Sequence, residues 1–441
     1  MAMFAREWVG VVVFAVVALA GVAIGEDFRV DLPSEMKPVP EPLPAGKLPG
    51  FALRGTKGWL WSPEQYLAEV PTLAQYKMNF LMICYGSMCD IEHFAWGDAR
   101  CNRWWEPLPD TKKKAFEDVL RACQANGIEL CLCMNPNLNA ERIFDYTSAA
   151  DLDALWPHYA WMQDLGMKWF SVALDDISRG INAAGQAGLV NALFERLRTK
   201  DADAKMIFCP TSYWGDGTES GAKAYLETLA VKLHPDVYLF WTGDAVVTPR
   251  ITRKAAESYK AVAKHRLIIW DNYPVNDANP TLHLGPVTGR DVDLCEVCDG
   301  YMSNPMHSEN EINRIPLITC ADYAYNPWAY DPARSIGQAI LHTAETPEQR
   351  CVLKDLVELY PGMLIFAQGT AFNPAIARFR KILDTPDARD RADAYLKHIQ
   401  DVLSRLETLF PKQFRAAKET IKKNINEMRK VYAERYGNEK S

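Results

Sequence analysis

Short apolar runs alternate with stretches of amphipathic helical spacing over most of the chain. Eight runs have the length and the apolar content of buried strands, at residues 51–55, 80–85, 128–134, 169–174, 206–209, 237–240, 267–269 and 300–302. The intervening stretches 110–126 and 148–165 carry apolar residues at helical spacing, and a glycine follows each of them. This alternation of strands and helices predicts a parallel α/β architecture.

Eight strand–helix units predict a single (β/α)8 barrel of the TIM type over residues 51–344. An open doubly wound sheet is the alternative, but a dinucleotide-binding sheet would carry a GxGxxG loop after its first strand. The chain instead reads Arg54-Gly55-Thr56-Lys57-Gly58 at this point. Since catalytic groups of such barrels collect at the C-terminal ends of the strands, the residues that follow each run are the candidates for chemistry.

The pattern changes on both sides of the predicted barrel. From residue 345 to residue 441 it is helical throughout, with a helix expected to begin at Asp384-Thr385-Pro386 and to run to Tyr436 with an interruption near Pro411. Before the barrel, residues 26–50 contain six prolines, a density that predicts an extended linker. The predicted order is therefore a linker, a catalytic barrel and a C-terminal helical region.

The first residues have the pattern of a targeting segment. An uninterrupted apolar stretch runs from Trp8 to Gly25, and Ala23-Ile24-Gly25 provides the small residues of a signal-peptidase site. We therefore predict a signal peptide over residues 1–25 and a secreted or periplasmic protein. Because about 18 apolar residues also suffice for a spanning helix, membrane anchoring by residues 8–25 is the alternative.

Composition narrows the class of partner and cofactor. The chain has 441 residues, 48% of them apolar, and a formal charge of −7, which argues against a nucleic-acid partner. Its cysteine count of 11 is odd, and Cys131 and Cys133 share one face of a predicted strand, where small buried apolar side chains are expected. Cys295 and Cys298 have no second Cys-x-x-Cys pair to complete a metal site, so neither a metal nor another cofactor is predicted.

Two adjacent aspartates, Asp175 and Asp176, follow the fourth apolar run. Neighbouring carboxylates repel each other, so such a pair holds one proton and can place an acid and a helper group in one pocket. An Asp-Asp pair after a strand is also typical of a turn, a helix N-cap or half of a metal site. The pair alone therefore leaves its role open.

Aromatic and uncharged hydrogen-bonding residues follow the later strands. The sequences at these strand ends are Pro210-Thr211-Ser212-Tyr213, Trp241-Thr242-Gly243, Trp270-Asp271-Asn272 with Asn276-Asp277 close behind, and Ser303-Asn304-Pro305. Sugar hydroxyls require polar partners, while sugar ring faces and an N-acetyl methyl require aromatic walls. Together with the aspartate pair, these residues predict a carbohydrate site at one rim of the barrel.

These motifs, in this order, resemble glycoside hydrolase family 84, which contains O-GlcNAcases and bacterial β-N-acetylglucosaminidases, some of them named hyaluronidases. The resemblance extends to Arg103-Trp104-Trp105-Glu106-Pro107 and to Asp322-Tyr323-Ala324-Tyr325-Asn326-Pro327, and so covers about residues 54–340. It implies a retaining hydrolase that acts on GlcNAc-containing glycans or glycoproteins. It also implies catalysis by the substrate's own 2-acetamido group through an oxazoline, an exception to the usual enzyme nucleophile.

The resemblance assigns a role to each candidate. Asp176 is the general acid and later the general base, and Asp175 accepts the acetamido N–H and holds the acetamido group under the anomeric carbon. Tyr213 hydrogen-bonds the acetamido oxygen. The residues assigned to the acetamido pocket and its orientation are Cys209, Thr242, Trp270 and Asn272, and those assigned to the distant sugar hydroxyls are Asp277 and Asn304, supported by Asn276.

Two motifs depart from the family pattern. The first loop, usually close to GFYGxPWS, reads Gly55-Thr56-Lys57-Gly58-Trp59-Leu60-Trp61-Ser62, and the second strand ends in Cys84-Tyr85-Gly86 where the family has Ala-Pro-Lys. Gly86 thus stands in place of a lysine that contacts the sugar, and we expect altered recognition of its outer hydroxyls. The alternatives are a catalytically weak or inactive glycan-binding protein on the same barrel, or a metal-dependent polysaccharide deacetylase with the aspartates as ligands.

Overall fold

A closed barrel of parallel strands forms the centre of the computed structural model, which describes residues 28–89, 98–277, 279–362 and 372–437. The strands are β1 (Leu53–Gly58), β2 (Phe80–Ile83), β3 (Glu129–Met134), β4 (Trp169–Ala173), β5 (Lys205–Cys209), β6 (Tyr238–Trp241), β7 (Arg266–Pro274) and β8 (Gly300–Asn304). Each strand pairs with the next in the chain, and β8 closes the barrel against β1, with Leu53 opposite Gly300. The predicted (β/α)8 barrel is confirmed.

Helices surround the barrel and continue after it. In the described residues they are α1 (Pro63–Gln75), α2 (Tyr85–Met88), α3 (Asp110–Ala125), α4 (Ala149–Leu155), α5 (Pro157–Asp164), α6 (Ala183–Lys200), α7 (Ser220–Lys232), α8 (Arg253–Ala263), α9 (Arg314–Tyr325), α10 (Pro332–Thr343), α11 (Pro347–Leu359), α12 (Pro374–Leu383), α13 (Ala388–Leu409) and α14 (Arg415–Tyr436). The single helix predicted over residues 148–165 is two helices, α4 and α5. Pro157 has no N–H to continue the first helix, but it fits the first turn of the second.

Three strands extend by more than one residue past their predicted C-terminal ends, and these extensions lie at the rim where chemistry is expected. Strand β1 runs past residue 55 to Gly58, β7 past residue 269 to Pro274, and β8 past residue 302 to Asn304. Several of the added positions, such as Lys57, Asp271 and Asn304, are charged or polar, so they interrupt the apolar pattern that predicts a strand. In a barrel the inward side chains at the C-terminal strand ends face a cavity, and the pattern there need not be apolar.

The proline-rich segment before the barrel is packed against the molecule, which corrects the prediction of an extended spacer. The backbone N–H of Val30 donates to Glu358 Oε1 at 2.9 Å, and that of Lys37 donates to Gln338 Oε1 at 2.8 Å. A side-chain carbon at Gly337 would lie 2.6 Å from the backbone oxygen of Asp31, so the absence of a side chain there permits the close approach. Partners on α10 and α11 thus hold residues that proline content alone would leave extended.

The C-terminal helices follow the predicted course. Helix α13 ends at Leu409 and α14 begins at Arg415, with the expected interruption at Pro411. Glu309, in the loop that follows β8, accepts hydrogen bonds from the backbone N–H groups of Arg415 at 3.1 Å and Ala416 at 3.0 Å. The start of α14 is therefore tied directly to the rim of the barrel.

The predicted signal peptide at residues 1–25 lies outside the described residues. Among the helices that the structure describes, none combines the length and the apolar character needed to cross a membrane.

Candidate active site

A cavity of about 260 Å³ opens at the C-terminal ends of the barrel strands. The predicted site residues that line it are Asp175, Asp176, Cys209, Tyr213, Thr242, Trp270, Asn272, Asp277 and Asn304. Asn276 is not part of the wall, and its side-chain amide instead donates to the backbone oxygen of Thr281 at 3.0 Å. The structure thus brings residues from five separate predicted strand ends into one cavity, while Asn276 braces a loop beside it.

The backbone at Asp176 allows both aspartates to face this cavity. Consecutive side chains of an extended chain point in opposite directions, but Asp176 has φ of 53°, in the left-handed region. The turn is held on both sides, because the Leu174 N–H donates to the Cys209 oxygen at 2.8 Å and the Thr211 hydroxyl donates to the Leu174 oxygen at 2.8 Å. A non-glycine residue in this conformation at the end of a strand is a common feature of functional sites.

A tyrosine holds each carboxylate. The Tyr85 hydroxyl donates to Asp175 Oδ2 at 2.8 Å, and the Asn135 amide reaches Asp175 Oδ1 at 3.3 Å. The Tyr213 hydroxyl donates to Asp176 Oδ1 at 2.7 Å. Tyr213, which the family resemblance places on the acetamido oxygen, therefore contacts the second aspartate. Asp175 is the more firmly oriented of the two carboxylates.

The two carboxyl groups share a raised proton affinity. Burial and the charge of Asp176 together raise the pKa of Asp175 to about 7, although the Lys57 ammonium and the hydrogen bond from Tyr85 oppose both effects. Burial also raises the pKa of Asp176, against the hydrogen bond from Tyr213 and the charge of Lys57. The expected raised pKa at Asp176 is thus accompanied by one at Asp175, and the pair titrates as a unit.

Asn272 organises the wall opposite the aspartates. Its Oδ1 accepts the Trp270 indole N–H at 3.0 Å and the Asn304 amide at 2.8 Å, while its own amide donates to the Val246 oxygen at 2.6 Å. Asn304 Oδ1 is buried without a hydrogen bond. An unpaired buried carbonyl oxygen is costly, so this atom is suited to accept a hydrogen bond from a ligand hydroxyl.

The sequence did not predict six contributors to the site: Lys57, Trp59, Tyr85, Val246 and Val247, which line the cavity, and Asn135, which holds Asp175. Tyr85 directly follows a predicted strand and could have been found by the same rule that identified Tyr213. Lys57 lies within β1, beyond the end of the predicted strand, and stays only 2% exposed. Lys57 lies between Gly55 and Gly58, so the hydrophobic periodicity that predicts strands is absent there. Lysine side chains are also rarely buried, so a lysine in the barrel was not expected.

The cavity wall next to Gly86 differs in kind from the family pattern. A side-chain carbon at Gly86 would lie 3.0 Å from both Trp59 and Leu60, so these side chains occupy the space that a larger residue would need. The Trp59 ring packs edge-on against Tyr85, with 5.5 Å between the ring centroids. The departures in the first loop and at the second strand end therefore form one continuous altered surface.

Within the described residues, no three His, Cys, Asp or Glu side chains are grouped closely enough to hold a metal ion. The cysteines are free thiols, and Cys131 and Cys133 are fully buried in β3.

Comparison with known proteins gives consistent matches. The family model for beta-N-acetylglucosaminidase matches residues 54–358. The Protein O-GlcNAcase of Rattus norvegicus and that of Mus musculus are each 24% identical over 284 residues, which cover 62% of this chain and 29% of theirs. The chain thus spans less than a third of the length of these relatives. A solved structure of a mutant O-GlcNAc hydrolase from Thermobaculum terrenum superposes with a TM-score of 0.67 at 21% identity, over 87% of this chain and 83% of that one, and shares its fold.

Proposed function

Since the chain belongs to the beta-N-acetylglucosaminidase family, glycoside hydrolase family 84, and is a glycoside hydrolase, we propose that it releases terminal 2-acylamino sugars with retention of configuration. The family resemblance drawn from the sequence motifs is thereby confirmed. The observation that carries the proposal is the pairing of Asp175 and Asp176 in one cavity, each held by its own tyrosine. Trp270 and Asn304 on the facing wall supply the aromatic and polar contacts that a sugar needs.

In the proposed mechanism the two aspartates divide the work. Asp175 accepts the N–H of the 2-acetamido group, and the carbonyl oxygen of that group attacks the anomeric carbon as the glycosidic bond breaks. Asp176 gives its proton to the departing oxygen, which leaves as an alcohol, and the sugar closes as an oxazoline. Asp176 then takes a proton from water as the water attacks the anomeric carbon and reopens the ring.

Substrate binding itself would move the proton shared by the two aspartates onto Asp176. Asp175 is the more buried carboxyl, and its pKa of about 7 allows it to hold the shared proton near neutral pH. An acetamido N–H that donates to Asp175 favours its charged form instead. The shared proton then passes to Asp176, where the departing oxygen needs it.

The shape of the site and the names of the relatives support a proposal for the substrate class. The cavity is small and bounded by aromatic and amide side chains, which favours a terminal sugar over an internal unit of a long polysaccharide. The relatives named Protein O-GlcNAcase make a GlcNAc-modified glycan or glycoprotein the substrate we propose. Because a signal peptide is predicted for residues 1–25, we propose that the reaction takes place outside the cytoplasm, in the periplasm or beyond the cell.

Hydrolysis of 4-nitrophenyl N-acetyl-β-glucosaminide tests the proposal, with 4-nitrophenyl β-glucoside as the matched substrate that lacks the internal nucleophile. We expect hydrolysis of the first substrate alone, release of the β-anomer seen by NMR, and inhibition by a thiazoline mimic of the oxazoline. Equal turnover of both substrates would contradict substrate-assisted catalysis. Binding without turnover would favour a glycan-binding protein, and acetate release abolished by a chelator would favour a deacetylase.

A further inference from the structure

A lysine is buried at the floor of the active-site cavity. Lys57, on β1, has a side chain that is 2% exposed and lines the same cavity as Asp175 and Asp176. Of the described residues that line this cavity, it is the only one with a positive charge. Since burying an ammonium costs several kcal/mol unless it is paired, its contacts indicate what it is there to bind.

The contacts of this ammonium leave at least one hydrogen-bond donor unused. Its one hydrogen-bond acceptor among the described residues is the Cys84 sulfur at 3.8 Å, which is a weak acceptor. No carboxylate of the described residues lies within ion-pair distance of it, although Asp175 and Asp176 are near enough to be affected by its charge. An ammonium has three N–H donors, and with the Cys84 sulfur and the face of the Trp270 ring as partners at least one remains for an oxygen atom that enters the cavity.

The position of Lys57 indicates which part of the sugar would supply that oxygen. Its Nζ lies 3.2 Å from the centroid of the Trp270 ring, and its charge acts on the Cys209 thiol. Trp270 and Cys209 are the residues that the family resemblance assigns to the acyl group at C2. The ammonium thus covers an aromatic face on which the methyl of an N-acetyl group would otherwise pack.

From this geometry, and resting on the proposed function, we propose that Lys57 determines specificity for the acyl group at C2 of the sugar. It donates a hydrogen bond to an oxygen at the end of that acyl group, so the enzyme favours acyl groups with a polar end, such as N-glycolyl, over apolar ones of equal size. Asp175 and Asp176 keep the roles already given. In the family pattern the positive charge lies on the second strand and contacts the outer sugar hydroxyls, whereas the charge of Lys57 lies on β1, next to Trp270 and near Cys209.

Two acyl groups of the same size test the proposal. The N-glycolyl and N-propionyl groups differ only in a terminal hydroxyl or methyl, so aryl β-glycosides of the two 2-acylamino glucosamines form a matched pair. We would measure kcat/KM of the wild type, of Lys57→Met and of the exposed-lysine control Lys254→Met on both substrates. The hydroxyl also weakens the acyl oxygen as a nucleophile, but this effect is common to all variants and cancels when their substrate ratios are compared.

We expect the glycolyl-to-propionyl ratio of kcat/KM to fall about tenfold or more in Lys57→Met, the usual effect of losing a hydrogen bond to a charged group, and to stay unchanged in Lys254→Met. A ratio that does not change in Lys57→Met overturns the proposal, even if N-acetyl substrates are hydrolysed. Inhibition constants of the two free sugars give the same comparison for the wild type without a variant. If no glycoside is hydrolysed the proposed function fails, while equal binding of the two free sugars would overturn the role of Lys57.

Discussion

Asp176 combines a left-handed backbone, one hydrogen bond from Tyr213 and a position in the cavity wall. For Asp176→Asn we expect kcat/KM to fall by about 10²–10⁴-fold on a glycoside with a poor leaving group, because proton donation to the leaving oxygen is lost. The loss should be smaller on a glycoside with an activated leaving group, which departs with less need of a proton. Steady-state kinetics on both substrates measure this difference, and wild-type turnover in the variant would rule out the acid role.

The buried Asp175 should leave a pH signature in stability. Its pKa in the folded protein is about 7, above the ordinary value of 3.8, because burial and the charge of Asp176 disfavour ionisation. Folded protein therefore binds this proton more tightly, and the resulting stability is complete below about pH 4 and is lost as pH rises through about 7. Asp175→Asn cannot lose a proton there, so we expect the wild type to lose on the order of 4 kcal/mol relative to the variant over this range.

Urea denaturation of both proteins at intervals from pH 4 to pH 8 measures this loss. A stability difference that stays constant across that range would show that Asp175 ionises at its ordinary pKa. Because the experiment needs no turnover, it remains informative even if the variant is inactive.

At the residue scale the sequence predicted the site residues that directly follow strands. It did not predict which residues reach the cavity when this depends on the backbone conformation of a loop. Asn276 and Asp277 are adjacent and similar in chemistry, but the loop conformation places Asp277 at the cavity and turns Asn276 towards Thr281. Lys57 was missed for the opposite reason, since a charged residue inside an apolar barrel contradicts the pattern by which strands are recognised. Both outcomes depend on three-dimensional contacts that residue spacing does not encode.

The end of strand β7 owes its position to a buried ion pair. Asp271 accepts Arg290 Nε at 2.8 Å and Nη2 at 2.5 Å, and also the Tyr301 hydroxyl at 2.6 Å. This strand end carries Trp270 and Asn272, and the pair beside them is almost completely buried. A bidentate arginine contact of this kind fixes geometry as well as charge.

Arg290→Met should therefore destabilise the protein by about 3–5 kcal/mol, because it leaves the buried Asp271 charge without its ionic partner and with only the Tyr301 hydroxyl as a donor. Arg266→Met is the matched control. Arg266 lies on β7, the strand that carries Asp271, and pairs with Asp299 at the surface, so the expected cost of its loss is about 1 kcal/mol or less. Denaturant unfolding of both variants measures the two costs. Similar values for both would mean that the buried pair adds nothing specific to the barrel.

At the element scale, apolar runs located every barrel strand because parallel strands covered on both sides are buried on both faces. The same reasoning placed the strand ends too early in β1, β7 and β8, where the inward side chains face the cavity. It also joined α4 and α5, although Pro157 could have indicated the break. Periodicity thus finds buried segments, whereas their boundaries depend on local chemistry.

Glu309 connects the rim of the barrel to the first residues of α14. Helix α14 follows Phe414, which has φ of 54° and provides no side-chain cap, so the Glu309 carboxylate satisfies the first N–H groups of the helix from outside. For Glu309→Ala we expect a loss of about 1–3 kcal/mol in stability, because those N–H groups lose their acceptor. The exposed residue Glu434, near the end of α14, gives the control variant Glu434→Ala.

Denaturant unfolding combined with limited proteolysis measures this effect and locates it. Earlier cleavage within α14 in Glu309→Ala, but not in Glu434→Ala, is the expected result. Equal stability and equal cleavage in the two variants would show that α14 is held by its apolar contacts alone.

At the scale of the whole molecule, the sequence pattern agrees with the observed order of a barrel followed by helices. It did not indicate that the segment before the barrel packs against those helices. Proline density predicts an extended backbone, and residues 28–50 form no regular helix or strand. What proline content does not reveal is that an extended segment can lie against a helix, as the contacts of Val30 and Lys37 require. Long-range contacts of this kind involve residues more than 300 positions apart and leave no local pattern.

The packing of residues 28–50 on α11 also limits how short a fragment of this chain can be and remain soluble. Helix α11 is covered by the N-terminal segment through Glu358 and by α13 through Arg405, which pairs with Asp355. A fragment cut to the family match at residues 54–358 would lose both covers and lay bare the apolar side of the helix, including Leu353 and Leu356. Such a fragment would expose an apolar patch and would tend to aggregate and precipitate, although its catalytic rim is complete.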